Sequence, residues 1–114
     1  MSKRPYPYNL IDDLLLGEEF YTELSDDEVK EEVEKLLAAL LDRYPRNKHI
    51  PQKMQAIIYL RYLEGLTLRE TGEAVGVSGG RAGQIRDKAL RILRLPMYLN
   101  RLLYKADKEA EETE

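Results

Sequence analysis

The sequence predicts an all-α chain of about five helices with a helix-turn-helix in its second half, and three observations carry that expectation. Apolar residues recur at spacings of three and four, the period of one helix face, and nowhere alternate as a half-buried strand requires. Two segments open with a hydroxyl residue followed three positions later by Glu, at Ser25/Glu28 and Thr67/Glu70, the reciprocal box that satisfies a helix's first free amides. Glycine and proline punctuate the periodic runs at Gly17, Pro45, Gly65, Gly76 and Pro96, stopping one helix or starting the next. The 114 residues suffice for one domain with a buried core, and 43% hydrophobic with 34% charged residues suits a helical protein in water.

The elements follow in order. "RPYPYNL" is an extended lead-in, because Pro5 and Pro7 fix φ and push their predecessors out of helix. A short helix is expected from about Leu10 to Leu16, broken at Gly17. The next opens at Ser25, and Val29, Val33, Leu36, Leu37, Leu40, Leu41 and Tyr44 form one apolar stripe that Pro45 ends. Acids crowd its first turns (Asp26, Asp27, Glu28, Glu31, Glu32), where they suit the helix dipole. The stripe is expected to pack on the rest of the chain, or to join a second copy as a homodimer through residues 25–44. A third helix is expected from Pro51 to about Glu64, with Met54, Ile57, Ile58 and Leu60 inward and Gly65 as its C-cap. Thr67 opens a short helix to Val75; Gly76 turns the chain, Val77 plugs the turn, and Ser78 caps a helix to about Arg94. After Pro96, Leu99, Leu102 and Leu103 support a last helix, before an acidic tail expected to be disordered.

Charge divides the chain into three. Residues 1–45, the acidic N-terminal helical segment, carry 5 Lys/Arg against 12 Asp/Glu; residues 46–105, the helix-turn-helix domain, carry 12 against 4; the tail 106–114 carries 1 against 5. A basic middle between acidic ends points to a polyanion partner for the middle. The residue inventory excludes several classes. There is no Cys, hence no disulfide framework or thiol nucleophile, and the single His49 removes His-pair metal sites. No metal, cofactor or enzymatic activity is expected. The N-terminus lacks the apolar core of a signal peptide and no apolar run approaches about 18 residues, so a cytoplasmic protein without membrane contact is expected.

Within the middle segment, Gly72 is the small residue that lets two helices approach, Gly76 lies four residues on in the turn, and Ala82 and Ile85 face back to the core. Thr71 stands where an apolar residue is expected. The run "YLRYLEGLTLRETGEAVGVSGGRAGQIRDKALRILRLP" resembles the fourth, promoter-reading region of housekeeping-type sigma factors of bacterial RNA polymerase. "LRYLEGLTL", "GVS", "QI" and "KALR.LR" match that family's pattern in order and spacing, over about residues 50–97.

The resemblance implies a second helix laid in the major groove of the −35 element and another face packed on the tip helix of the polymerase β flap. Carried over by position, Arg61 and Thr67 sit near phosphates, Ser78 caps the reading helix, and Arg81 and Gln84 match the family's "RERVRQIE" block. Arg86 is a further cation for phosphates, Lys88 matches the Lys beyond the block, and Arg91 and Arg94 match basic positions that contact DNA or activators. The chain departs from the family where Gly79 and Gly80 replace Arg-Glu and Gly83 replaces a second Arg. Such side chains read base edges at roughly 1–3 kcal/mol each, so altered or weakened reading is expected. The aromatic-rich domain that captures a melted −10 element is not expected from residues 1–45, which are too short and acidic.

Two functions are therefore expected as alternatives. One is a stand-alone transcription regulator that binds duplex DNA through residues 67–91 and touches RNA polymerase. The other is a polymerase-binding anti-sigma or accessory module with little DNA affinity, whose acidic helix 25–44 shields the basic face.

Overall fold

A computed structural model of the chain describes residues 4–18 and 20–103. The elements are α1 (Tyr8–Leu14), α2 (Asp26–Arg43), α3 (His49–Ile58) running into a wide π-helical turn (Tyr59–Leu63), α4 (Leu68–Val75), α5 (Gly79–Leu93) and α6, residues 96–103. No strand occurs among the described residues. Among the described residues the fold is thus all-α with six helices, against the about five expected. The acidic tail 106–114 lies outside the described residues.

α2 forms as its sequence dictates. The Ser25 hydroxyl accepts from the Glu28 amide and the Glu28 carboxylate from the Ser25 amide, a complete capping box. Val29, Val33, Leu36, Leu37 and Leu40 are buried, while Leu41 and Tyr44 are half-buried. Their stripe belongs to the same core as Leu10, Ile11 and Leu14 of α1, Met54 and Ile58 of α3, Ala89, Leu90 and Leu93 of α5, and Tyr98 and Leu102 of α6. The surface considered for a second copy is therefore covered by the chain's own helices, and nothing in the fold supports a homodimer through it.

α1 lies two residues earlier than expected. Its end is fixed from outside: the Arg94 guanidinium donates to the carbonyls of Asp13 (2.9 Å) and Leu14 (3.3 Å), satisfying acceptors that a helix end leaves free. α3 also starts early, at His49, where the Asn47 side chain accepts the His49 amide. Pro51 falls in the first turn, where a missing N–H costs nothing.

The end of α3 departs most from expectation. The Glu64 amide bonds the Tyr59 carbonyl (2.9 Å), five residues back, and the Leu66 amide bonds Leu60 (2.9 Å). Widening the turn leaves the Tyr62 carbonyl for the Asn9 side chain (2.9 Å), while the Tyr62 hydroxyl donates to Asp13 (2.7 Å). Both partners lie in α1, distant in sequence, so periodicity within α3 could not show this. Burial and the Asp13 carboxylate together push the Tyr62 hydroxyl's pKa above its ordinary value.

A candidate nucleic-acid interface on α5

α4, its turn and α5 form the helix-turn-helix. Thr67 and Glu70 make the second complete capping box, through Thr67 N–H to Glu70 (2.9 Å) and Glu70 N–H to the Thr67 hydroxyl (3.1 Å). Those hydrogen bonds, with the backbone bond to Thr67 first, hold the Glu70 carboxyl below its usual pKa. Gly76 takes the left-handed conformation (φ 79°) that ends α4. Ser78 caps α5 by accepting the Arg81 amide (3.0 Å). Position three of α5 is Arg rather than Glu, so no box closes back on the Ser78 amide.

Gly72 has the role read from its spacing. A Cβ there would lie 2.6 Å from the Val77 carbonyl oxygen and 2.8 Å from the Ser78 backbone, so only glycine allows the turn to close over α4. Thr71 is completely buried, and its hydroxyl has no hydrogen-bond partner. The residue that stands out in the sequence is thus buried at the α4 side of the motif.

The orientation of α5 separates the sequence-predicted residues into groups. At 3.6 residues per turn, each residue advances about 100°, so 80, 81, 84, 87, 88 and 91 share one sector. These six are the solvent-exposed residues of α5. Arg81, Gln84, Lys88 and Arg91 thus stand together on an open face, with Arg81 donating to Gln84 (3.2 Å).

Arg86 is not on that face. It is half-buried on the opposite flank, bonded to Asp87 through Nε (3.0 Å) and Nη2 (2.9 Å), beside Asp13, Tyr62 and Arg94. Arg94 is committed to the end of α1. Arg61 is half-buried, its Nη1 donating to the Leu66 carbonyl, which fixes the loop entering α4. Its placement is that of a loop fastener. Thr67 is exposed, but its amide is taken by Glu70.

The glycines divide in the same way. Gly83 is buried, and a Cβ there would lie 3.3 Å from Leu68 Cδ1; at Gly79 a Cβ would lie 3.1 Å from the Arg69 Cα. Both positions face α4. Only Gly80 opens onto the exposed sector, with nothing closer than 4.0 Å. Of three apparent losses from the reading face, two are contacts within the motif.

Two exposed charges beside this face were not singled out in the sequence. Arg69, in the first turn of α4, is 89% exposed and reaches Glu73 only at 3.5 Å. Asp87 adds a carboxylate to the exposed sector. Projecting α5 on a helical wheel finds Asp87, and Arg69 follows from its place just inside the Thr67 cap.

α2 packs against α3: the Gln55 side chain donates to the Leu37 carbonyl (2.6 Å), and the Tyr59 hydroxyl donates to Glu34. Arg81, Gln84, Lys88 and Arg91 remain open to solvent, so the acidic helix does not shield them. No helix among the described residues is long and apolar enough to cross a membrane.

The arrangement agrees with what comparison with known proteins finds. Residues 48–95, which span α3 to the turn after α5, match the family model described as Sigma-70, region 4. No curated protein and no solved structure matches the chain. Residues 48–95 are a sigma-70 region 4 domain, a DNA-binding helix-turn-helix of the kind that associates with RNA polymerase.

Proposed function

We propose that the chain is a transcription regulator of the region 4 type, which lays α5 against promoter-type duplex DNA and is aimed by RNA polymerase. The observation that carries this reading is the shared exposed sector of Arg81, Gln84, Lys88 and Arg91, left uncovered by the acidic α2. Arg81, Lys88 and Arg91 supply cations for phosphates, and Gln84 can pair with an adenine edge. Ser78 adds the partly unsatisfied amino end of α5, favourable to a phosphate. Gly80 contributes no base contact, so most of the affinity is phosphate-driven and salt-sensitive.

Fluorescence anisotropy against a −35-like duplex and a scrambled one, at several salt concentrations, tests the reading. Arg81→Ala with Lys88→Ala is expected to weaken binding to both duplexes and to reduce the slope of log affinity against log salt by about 1.8, at about 0.9 per phosphate contact. A wild-type protein with no duplex affinity at low salt, yet retained by RNA polymerase, would replace this reading with that of a polymerase-binding accessory module.

A further inference from the structure

The first helix of the motif carries an exposed cation whose place relative to α5 is fixed by backbone contact. Arg69 stands in the first turn of α4, and its ion pair with Glu73 spans 3.5 Å between two exposed side chains, a pairing worth little in water. A Cβ at Gly79 would lie 3.1 Å from the Arg69 Cα and 3.3 Å from the Arg69 amide nitrogen. One at Gly83 would lie 3.3 Å from Leu68 Cδ1. The start of α4 therefore rests against the flank of α5 that carries these two glycines. On α4 itself Arg69 is turned only about 60° from Gly72, whose neighbours are Val77 and Ser78 of the turn. The side of α4 that carries Arg69 thus looks toward the start of α5.

The exposed sector of α5 has two edges, and they differ. Measured round the helix from Gly80, Gln84 and Arg91 lie near the middle, with Lys88 and Arg81 at about 80–100° on one edge. Asp87 falls just past Gly80 on the other edge, and Gly83 and Gly79 lie further that way, at about 60–100°. Arg69 therefore flanks α5 opposite Arg81 and Lys88, with the exposed sector between them. On Arg69's side the edge of α5 itself offers no cation. Gly80 has no side chain, and Asp87 is a carboxylate held by Arg86.

We propose that Arg69 contacts the phosphate backbone of the strand opposite the one held by Arg81 and Lys88, so that the duplex is gripped on both walls of the groove that α5 enters. The proposal rests on the reading of α5 as the DNA-facing helix and adds the contact on α4 that completes it. A major groove about 12 Å wide admits one α-helix, which leaves a row of phosphates along each flank of that helix. Arg81 and Lys88 serve one row, and the glycine edge of α5 leaves the other to Arg69. A phosphate suits the guanidinium, whose permanent charge and planar fork of donors match its oxygens. Because Arg69 stands on the flank and not in the sector that faces base edges, it adds affinity for every sequence alike.

The test compares the wild type, Arg69→Gln, the charge-keeping Arg69→Lys, and Arg81→Ala/Lys88→Ala, with the slope of log affinity against log salt as readout from low salt upward. Two duplexes are used, one ordinary and one in which a single strand carries neutral methylphosphonate linkages. On the ordinary duplex Arg69→Gln is expected to lower the slope by about 0.9 and to weaken binding on the order of fivefold, equally for −35-like and scrambled sequences. Arg69→Lys should behave as wild type, which separates loss of charge from loss of fold. On the half-neutral duplex Arg81 and Lys88 take the charged strand, so Arg69→Gln should there match the wild type. An unchanged slope for Arg69→Gln on the ordinary duplex, with a reduced one for Arg81→Ala/Lys88→Ala, overturns this inference and leaves the α5 reading standing. A slope lowered equally on both duplexes puts Arg69 on the same strand as Arg81 and Lys88, and overturns it as well. A wild type that binds no ordinary duplex overturns both readings.

Discussion

The contact between α2 and α3 and the contact between α4 and α5 hold two pairs of helices by opposite means. α2 offers five buried aliphatic side chains, and Met54 and Ile58 of α3 share their core. Polar groups fasten that pair: Glu34 accepts from both Tyr59 and Tyr6 (the latter at 3.0 Å), tying α3 and the lead-in segment to α2. Burial and the shared carboxylate push both tyrosine hydroxyls' pKa values up. At the α4–α5 crossing the side chains are missing. Gly72, Gly79 and Gly83 let backbone meet backbone or a single leucine. The first contact is held by what fills it and tolerates some repacking; the second is held by what is left out and tolerates little.

The largest expected effect follows from that difference. Gly72→Ala places a methyl 2.6 Å from a carbonyl oxygen that belongs to the turn itself, and no rotamer change relieves a clash with backbone. A loss of about 3 kcal/mol is expected, read as a fall in melting temperature of about 10 °C. A fall of only a degree or two would mean that the turn can open, and the comparison would collapse. Glu34→Ala, on the other side, strands two tyrosine hydroxyls that can partly rehydrate. It should cost about 1–2 kcal/mol, less than the one methyl at Gly72.

The glycines of α5 sharpen the comparison further. Gly80→Ala enters open space in a first turn and should stabilise by about 0.5 kcal/mol, from helix propensity alone. Gly79→Ala meets the Arg69 backbone at 3.1 Å and should gain nothing or lose. Equal effects at the two positions, measured by chemical denaturation, would mean that α5 does not lean on α4 as described. Thr71→Val offers a gain of similar size, about 1 kcal/mol, by replacing a buried hydroxyl that has no partner.

Much of this architecture was legible in the residues, because the signals are local. Both capping boxes, the α2 stripe, the Gly76 turn and the approach at Gly72 depend on neighbours a few positions away. What the sequence hid depends on distant partners. The π turn at Tyr59–Leu63 is matched by Asn9 and Asp13 of α1, and the end of α1 is set by Arg94, about 80 residues later. Family spacing places Arg61 near phosphates and Arg94 at a position that contacts DNA or activators, and its charge suggests Arg86 for phosphates, yet each is spent on an internal contact. Position in a motif says which residue stands where; only packing says which way it turns. The same holds for Gly83, aligned with a reading residue and turned onto Leu68.

The smallest expected effect distinguishes the two caps of the helix-turn-helix. At Thr67 the return bond comes from a carboxylate, and at Ser78 the equivalent residue is Arg81, which returns none. The Glu70 pKa is lowered in the folded chain. Its contribution is therefore fully present above the ordinary carboxylate value of about 4.3 and is lost as pH falls through the lower folded value. Glu70→Gln keeps an acceptor for the Thr67 amide at every pH. The melting temperature of wild type minus that of Glu70→Gln should thus fall as the solution is taken from about pH 6 to about pH 3, while other carboxylates cancel between the two proteins. A difference that stays flat would mean that the Thr67 box contributes no more to the motif than the half-open cap at Ser78. The entry to α4 would then depend on the bonds that Leu66 makes, its carbonyl with Arg61 and its amide with Leu60.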